Sequence, residues 1–178
     1  MDGVPGITQQ PVLPGQQFVY RFTPPDAGTF WYHSHHRSWE QLALGLAGVL
    51  IVEEREALSF DQDLVFAVDD WRVNNALDID RRGLGALHDW AHGGRLGNYA
   101  TVNGRSVPQF SVVSGQRVRL RAVNIANSRI MTLRFPQAPA WVIAMDGQPV
   151  KPLELDTGLV TLAPGQRADL AVDLPGTP

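Results

Sequence analysis

Cysteine is absent from this sequence of 178 residues. The chain therefore has no disulfide, no thiolate nucleophile and no cysteine-ligated metal. Positive charge is also scarce, since 15 Lys and Arg residues face 18 Asp and Glu residues and the net charge is −3. This balance excludes the basic surface that nucleic-acid binding needs. No apolar run approaches the ~20 residues of a membrane span, and residues 1–5 lack the basic and apolar regions of a signal peptide. The sequence thus predicts no nucleic-acid partner, no membrane span and no signal peptide.

Alternation of apolar and polar residues is the main structural signal in the chain. Apolar residues make up 44% of the sequence, which is enough for a hydrophobic core. Period-two alternation between Gly and Pro turn signals predicts short strands. These strands cover residues 18–22, 64–68, 117–122, 130–135 and 168–174, and residues 48–52 form a more fully buried one. The pattern predicts an all-β fold of the sandwich type.

Two segments carry more specific expectations. In residues 117–122, Arg117, Arg119 and Arg121 share one face and apolar residues share the other, as in a half-buried antiparallel strand. Only residues 84–95 suggest a helical turn or two. His88 and His92 lie there four positions apart, on one helical face. We expect these histidines to face solvent, and a second metal site is the less favoured interpretation.

Residues 28–36 contain the main cluster of metal-ligand side chains and read Gly-Thr-Phe-Trp-Tyr-His-Ser-His-His. In a β-strand His33 and His35 project from the same face, with their Cα atoms roughly 7 Å apart. Neutral imidazole binds copper, zinc, iron and nickel. Two histidines do not complete a coordination sphere, and on this pattern alone a structural role is equally well supported. His36 faces away from the pair by strand alternation, so we expect no ligand role for it.

A short repeat connects the two ends of the chain. Asp-Gly-x-Pro occurs at residues 2–5 and 146–149, and Pro-Gly-Gln follows at residues 14–16 and 164–166. Each Pro-Gly pair fits the central positions of a type II turn that leads into an alternating strand, and Ser-Gly-Gln at residues 114–116 is a similar turn. Aligned on these motifs, the first copy lacks its front half and the second lacks its tail. We therefore expect the chain to be part of a longer protein.

These motifs resemble those of the multicopper oxidase family, laccase-like enzymes built from repeated cupredoxin β-sandwiches. Residues 1–55 resemble the C-terminal half of the family's first domain through the segments 28–35 and 45–52. Residues 56–62 are then a linker, and residues 63–178 resemble the second domain, truncated at its C-terminus. The motifs in that second part are Asp70-Trp71, Val102-Asn103-Gly104, and residues 119–124, 146–149 and 162–169. The resemblance implies an all-β chain of cupredoxin-like Greek-key β-sandwich domains, both of them incomplete.

Copper is the cofactor that this resemblance implies. His33 and His35 match a family motif whose two histidines bind the type 3 coppers, one each, in enzymes that oxidise phenolic or metal-ion donors and reduce O2 to water. The family's other histidine motifs and the cysteine of its type 1 site are missing, so we expect this chain alone to be inactive. Missing cupredoxin segments or another chain would complete the site. The resemblance also implies a periplasmic or extracellular location.

Two alternatives to an oxidase portion stay open from the sequence. One is a copper-free cupredoxin scaffold or binding protein related to multicopper oxidases, although the presence of both histidines argues against it. The other is a generic β-sandwich binding module for a carbohydrate or small ligand, in which the His-x-His pair is incidental. The repeated turns and the aromatic residues before the histidines make this second alternative the weaker one.

Overall fold

The computed structural model describes residues 3–56, 58–91 and 93–176. Within them, the strands are β1 (Gly28–His33), β2 (Ala47–Val52), β3 (Gln62–Trp71), β4 (Tyr99–Val102), β5 (Arg117–Asn124), β6 (Met131–Arg134), β7 (Ala140–Met145), β8 (Gln148–Glu154), β9 (Leu159–Leu162) and β10 (Arg167–Asp173). Two short helices, α1 (Ser38–Gln41) and α2 (Leu87–Ala91), and a 3₁₀ turn (Leu42–Leu44) complete the elements. The all-β prediction is confirmed. No helix among the described residues is long and apolar enough to cross a membrane.

Strand pairing divides the described chain into a hairpin and a larger β-unit. The hairpin consists of β1 and β2 in antiparallel register, and the large sheet has the order β4-β3-β5-β10-β7-β8. Strands β6 and β9 form a separate antiparallel pair. The arginine-bearing strand β5 is antiparallel to β10 but parallel to β3. The predicted antiparallel pairing of residues 117–122 is therefore confirmed on the β10 side, and the parallel pairing with β3 was not predicted.

The hydrophobic core lies between the large sheet and the β6–β9 pair. It collects the apolar faces of β5, β7 and β10 on one side and of β9 on the other. The buried members are Leu120, Ala122, Ala140, Val142, Val160, Leu162, Ala168, Leu170 and Val172. Because strand side chains alternate, burying this face leaves the opposite face of β5 and β10 to carry their arginine and aspartate side chains.

The repeated glycine turns have a common construction. Gly15, Gly115 and Gly165 have φ angles of 80°, 78° and 80°, the positive value that the third position of a type II turn requires. In each turn the following glutamine donates its backbone N–H to the carbonyl three residues earlier. Its side-chain Oε1 accepts the N–H of that same residue, as from Ala163 to Gln166 at 2.8 Å. The predicted turns are confirmed, and the glutamine closes each of them with a second hydrogen bond.

Residues 18–22 form no strand in the structure, so that prediction is wrong. Phe18, Val19, Tyr20 and Phe22 are all exposed. A strand needs a neighbour for its backbone groups, and no described strand pairs with this segment. The prediction that residues 48–52 are the more fully buried strand is also wrong, because every residue of β2 is only half-buried. The helical turn within residues 84–95 is confirmed as α2, whereas α1 was not predicted.

Asp69, on β3, is a buried carboxyl group with a consequence for pH dependence. Burial raises its pKa from 3.8 to about 7; the Asp70 N–H, which donates to Asp69 Oδ1 at 2.8 Å, opposes this and the charge of Asp70 adds to it. Between about pH 4 and 7 the folded chain thus keeps a proton that the unfolded chain has lost, so stability falls as pH rises through this window. We expect Asp69→Asn to flatten the dependence and to be more stable than the parent at pH 8.

Urea midpoints of the parent and Asp69→Asn at pH 5 and pH 8 measure this effect. The asparagine oxygen can still accept the Asp70 N–H, so the variant removes ionisation with little change of shape. Parallel pH profiles for the two proteins would show that Asp69 ionises normally in the folded chain.

Candidate metal centre

The β1–β2 hairpin positions the two histidines. β1 is rich in aromatic residues, which suit a pleated strand, and it ends at His33, which lies opposite Ala47. One position earlier, Tyr32 lies opposite Gly48, and a side-chain carbon on that glycine would lie 2.3 Å from the tyrosine hydroxyl. Glycine in the apolar run after the motif therefore makes room for the Tyr32 ring. This packing places Tyr32 on the outer, solvent-exposed side of the hairpin.

The opposite side of β1 carries a row of three stacked rings. The centroids of Trp31 and His33 are 4.2 Å apart with planes inclined by 21°. His33 and His35 follow at 4.7 Å and 25°. We call Trp31, His33 and His35 the ring stack. Although the strand ends at His33, the rings of His33 and His35 lie side by side, as strand alternation predicted.

One nitrogen of His33 has an assigned role. Its Nδ1 lies 3.1 Å from the carbonyl oxygen of Ser34. A carbonyl can only accept, so this hydrogen bond needs a proton on Nδ1, and the neutral ring then keeps its lone pair on Nε2. Metal-binding histidines usually donate a hydrogen bond of this kind from the ring nitrogen that does not bind the metal, and this fixes the tautomer. His33 thus has the donor chemistry of a copper ligand, and the imidazoles of the pair fit copper as two members of a ligand set.

The described residues bring no third ligand to this pair. Across residues 3–56, 58–91 and 93–176 no group of three or more His, Asp or Glu side chains is arranged to hold a metal ion. His36 follows on an exposed turn, where its backbone N–H donates to the Ser34 hydroxyl at 3.2 Å. His88 is exposed on α2, and His92, its predicted companion on the same helical face, lies outside the described residues. His33 and His35 therefore stay the candidate metal ligands among the described residues.

Buried charges hold β1 against the large sheet. The Thr29 hydroxyl donates to Asp169 Oδ1 at 2.6 Å and accepts from Arg121 Nη1 at 2.9 Å. Arg119 Nη2 donates to Asp169 Oδ2 at 2.6 Å. Two further carboxylates, from the segment after β2 and from β3, pair with these arginines at 2.7 Å each. We call this group the anchor cluster; its members are Thr29, Glu54, Asp63, Arg119, Arg121 and Asp169.

Arg119, Arg121 and Asp169 are buried in the anchor cluster because each is paired with an opposite charge, whereas Glu54 and Asp63 remain accessible to solvent. Arg121 and Asp169 each expose only 2% of their surface, and a buried charge is tolerated when it is paired and hydrogen-bonded. The hydrogen bond from Arg119 lowers the pKa of Glu54. Arg119 and Arg121, predicted to lie on the polar side of a half-buried strand, are therefore covered by β1 and the segment after β2 instead of by water, whereas Arg117 on the same face stays exposed. That part of the sequence interpretation is wrong.

Arg167 provides a second attachment of β1. Its guanidinium donates to the backbone carbonyls of Thr29 at 3.3 Å, Gly165 at 3.0 Å and Asp146 at 2.9 Å. The last two carbonyls belong to the Pro-Gly and Asp-Gly turns of the second repeat copy. A side-chain carbon on Gly165 would lie 3.3 Å from Cζ2 of Trp31, so this turn also touches the ring stack. Both turns thus pack against the histidine-bearing strand.

The anchoring residues were not identified from the sequence. Thr29 and Trp31 lie within the recognised motif, but only the histidines in it have an obvious metal chemistry. A usable signal was present in β10, where Asp169 and Asp173 occupy one face just as Arg121 and Arg117 do in β5. The structure places each aspartate directly opposite one of these arginines in the β5–β10 register.

The fold and the site together define an all-β protein with a sandwich core and a hairpin that presents two imidazoles. The multicopper oxidase family model matches residues 1–57, and a second model of the same description matches residues 62–178. The chain is 31% identical to Laccase-2 of Botryotinia fuckeliana over 97% of its length and 31% of that protein. It is 32% identical to the cell division protein FtsP of Sodalis glossinidius, over 96% of its length and 35% of that protein.

A solved structure gives the same result. A multicopper oxidase from Pseudomonas thermotolerans is 41% identical and matches with a TM-score of 0.91, over 99% of this chain and 42% of that one. The chain belongs to the multicopper oxidase family, whose members are cupredoxin-fold oxidoreductases. It spans about a third of the length of the two curated relatives described above.

Proposed function

We propose that this chain is the part of a copper-dependent oxidase that contributes two type 3 copper ligands, His33 and His35. In the longer protein the reaction would be oxidation of a phenolic or metal-ion donor coupled to reduction of O2 to water. The observation that carries the proposal is the ring stack, in which two neighbouring imidazoles lie almost parallel at 4.7 Å. Family membership supplies the metal, because multicopper oxidases bind copper.

The geometry of the pair favours two metal ions over one. An imidazole lone pair lies in the ring plane, and a metal–nitrogen bond is about 2 Å long. The stacked planes of His33 and His35 are inclined by only 25°. Planes so close to parallel direct their lone pairs side by side and do not converge within that bond length. This supports one copper per histidine, as the resemblance to the family implies.

The residues of this chain would orient and hold the site. The Ser34 carbonyl keeps the His33 proton on Nδ1, so that Nε2 would be the lone-pair donor to a copper ion. The anchor cluster and Arg167 fix β1 against the large sheet, which pre-sets the direction of both rings. Copper, when bound, supplies the one-electron chemistry that passes electrons to O2. The sequence has no cysteine, so this chain holds no type 1 site and we expect it to oxidise no donor by itself.

Completion of the site would come from other cupredoxin segments of the longer protein or from another chain. Residues 18–22 support this part of the proposal, because Phe18, Tyr20 and Phe22 are exposed on a segment that forms no strand. An apolar surface of this kind is typical of a contact region. We also propose a periplasmic or extracellular location, in keeping with the family.

Copper content after anaerobic loading with Cu(I), measured by elemental analysis, tests the proposal. We expect the parent to retain copper through gel filtration and the His33→Ala/His35→Ala variant to lose it. His36→Ala is the matched control, since it removes a neighbouring exposed imidazole and is expected to keep the parental copper content. Equal copper in the parent and the double variant would refute His33 and His35 as ligands.

A copper-free scaffold is the second candidate function. The similarity to FtsP, named as a cell division protein, favours it, because this relative is about as similar to the chain as the laccase is. On this alternative the ring stack is a packing feature and the chain serves as a binding surface. Negligible copper in the parent and in every variant would support the scaffold.

A further inference from the structure

The Trp31 indole lies between the histidine pair and the second repeat copy. One side is stacked on His33 at 4.2 Å between ring centroids. Its benzene edge meets the turn at Gly165, where an added side-chain carbon would lie 3.3 Å from Cζ2. Trp31 is therefore the one member of the ring stack that bridges the imidazoles and this turn.

The turn at Gly165, which packs against Trp31, is held by several hydrogen bonds. The turn at Gly165 is closed by the N–H of Gln166 on the Ala163 carbonyl at 3.0 Å and by the Gln166 side chain at 2.8 Å. Arg167 then joins the Gly165 carbonyl to the Thr29 carbonyl of β1. These hydrogen bonds fix the distance between the turn and the strand, and the indole fills that gap.

The imidazoles have few other restraints on their planes. His33 has one hydrogen bond, from Nδ1 to the adjacent Ser34 carbonyl at 3.1 Å. The ring of His35 is exposed, and among the described residues its ring contact is with His33. The plane of His35 thus depends on His33, and that of His33 depends on the indole.

We propose that Trp31 is a positioning residue for the His33–His35 pair. Its indole, held against the Gly165 turn, sets the plane of the His33 ring and, through it, that of His35. This inference rests on the proposed function only for its copper readout, because the orientation of the rings can be measured without metal. Trp31 itself donates no lone pair to a metal, so its role in the site is to set the planes of the two imidazole rings.

Trp31→Leu and Trp31→Phe separate stacking from bulk, since leucine fills space without a ring and phenylalanine keeps a flat face. The first readout is the proton NMR shifts of the His33 imidazole in the metal-free chain, assigned with His33→Ala. A stacked indole moves these protons upfield. We expect Trp31→Leu to move them downfield and to lower Cu(I) affinity about tenfold, whereas Trp31→Phe keeps the upfield shifts and stays near the parental affinity.

Tyr32→Leu is the matched control, because this neighbouring ring lies on the other side of β1 and should affect neither readout.

If Trp31→Leu does not fold, Gly165→Ala tests the same idea, because its added Cβ presses on the indole. Gly15→Ala is the control in the equivalent turn, where the added Cβ meets no described atom within 4 Å. Shifts of the His33 ring with Gly165→Ala but not with Gly15→Ala are expected. Parental Cu(I) affinity in folded Trp31→Leu, or unchanged His33 ring shifts in Gly165→Ala, would overturn the positioning role. A parent that binds no copper would contradict the proposed function and leave the ring shifts to decide this inference.

Discussion

Replacing Asp169 by asparagine is expected to lower the free energy of unfolding by about 3–5 kcal/mol, the usual cost of breaking a buried ion pair from one side. Asp169 is 2% exposed and faces Arg119 at 2.6 Å and Arg121 at 3.5 Å. The asparagine is nearly the same size but removes the buried carboxylate, so these guanidinium groups keep only the solvent-accessible Glu54 and Asp63 as partners. It also changes the acceptor of the Thr29 hydroxyl. Urea denaturation followed by circular dichroism at pH 7 measures the loss.

Asp173→Asn is the matched control on the same strand. Asp173 pairs with Arg117 at 2.5 Å, but the two side chains are 36% and 54% exposed. Water and salt screen such a pair, so we expect the urea midpoint to stay close to that of the parent. Similar losses for the two variants would mean that the anchor cluster gains nothing from its burial.

Gly28→Ala is expected to destabilise the chain by about 3 kcal/mol. Gly28 has a φ of 143°, and an added Cβ would lie 2.5 Å from the Gly147 carbonyl oxygen. Positive φ costs an L residue roughly 1–2 kcal/mol, and forcing atoms into a packed position typically costs about 1–3 kcal/mol. The alanine would also push the start of β1 away from the Asp-Gly turn. Urea denaturation gives the first effect, and the ring shifts of His33 report the second.

Gly115→Ala separates backbone strain from the close contact. Its φ is 78°, but a Cβ there meets no described atom within 4 Å. We expect a loss of roughly 1 kcal/mol and unchanged His33 ring shifts. If Gly28→Ala is no more damaging than Gly115→Ala, the close approach of β1 to the Gly147 turn is not a restraint on the hairpin.

Local sequence patterns predicted the strands and turns of this chain well, but they did not predict what those elements pack against. Alternation over residues 168–174 and the Pro-Gly turns depend on a few neighbouring residues, and the structure confirms both. Residues 18–22 show the limit, because their alternation is suitable for a strand but a strand also needs a partner. The burial of Arg119 and Arg121 could not be predicted from β5 alone, since it depends on carboxylates from three other segments.

In the candidate site, too, the local arrangement was predicted and the long-range contacts were not. The side-by-side arrangement of His33 and His35 follows from strand geometry and was predicted. The contacts that fix their planes were not, because Trp31 meets Gly165 and Thr29 meets Asp169 across more than a hundred residues of sequence. Comparing the polar faces of two predicted strands, arginines on β5 and aspartates on β10, would have indicated which strands pair.

The hydrogen bond from Thr29 to Asp169 joins residues 140 positions apart, which affects the order of events during synthesis. At translation rates of roughly 5–20 residues per second, Thr29 is made roughly 7–28 seconds before Asp169. Contacts so distant in sequence form late in folding because the loop between them must first close. Until β10 is made, the histidine hairpin therefore lacks the contacts of the anchor cluster and exposes apolar surface. Molecular chaperones that shield apolar segments would have their greatest effect on the yield of folded chain during this interval.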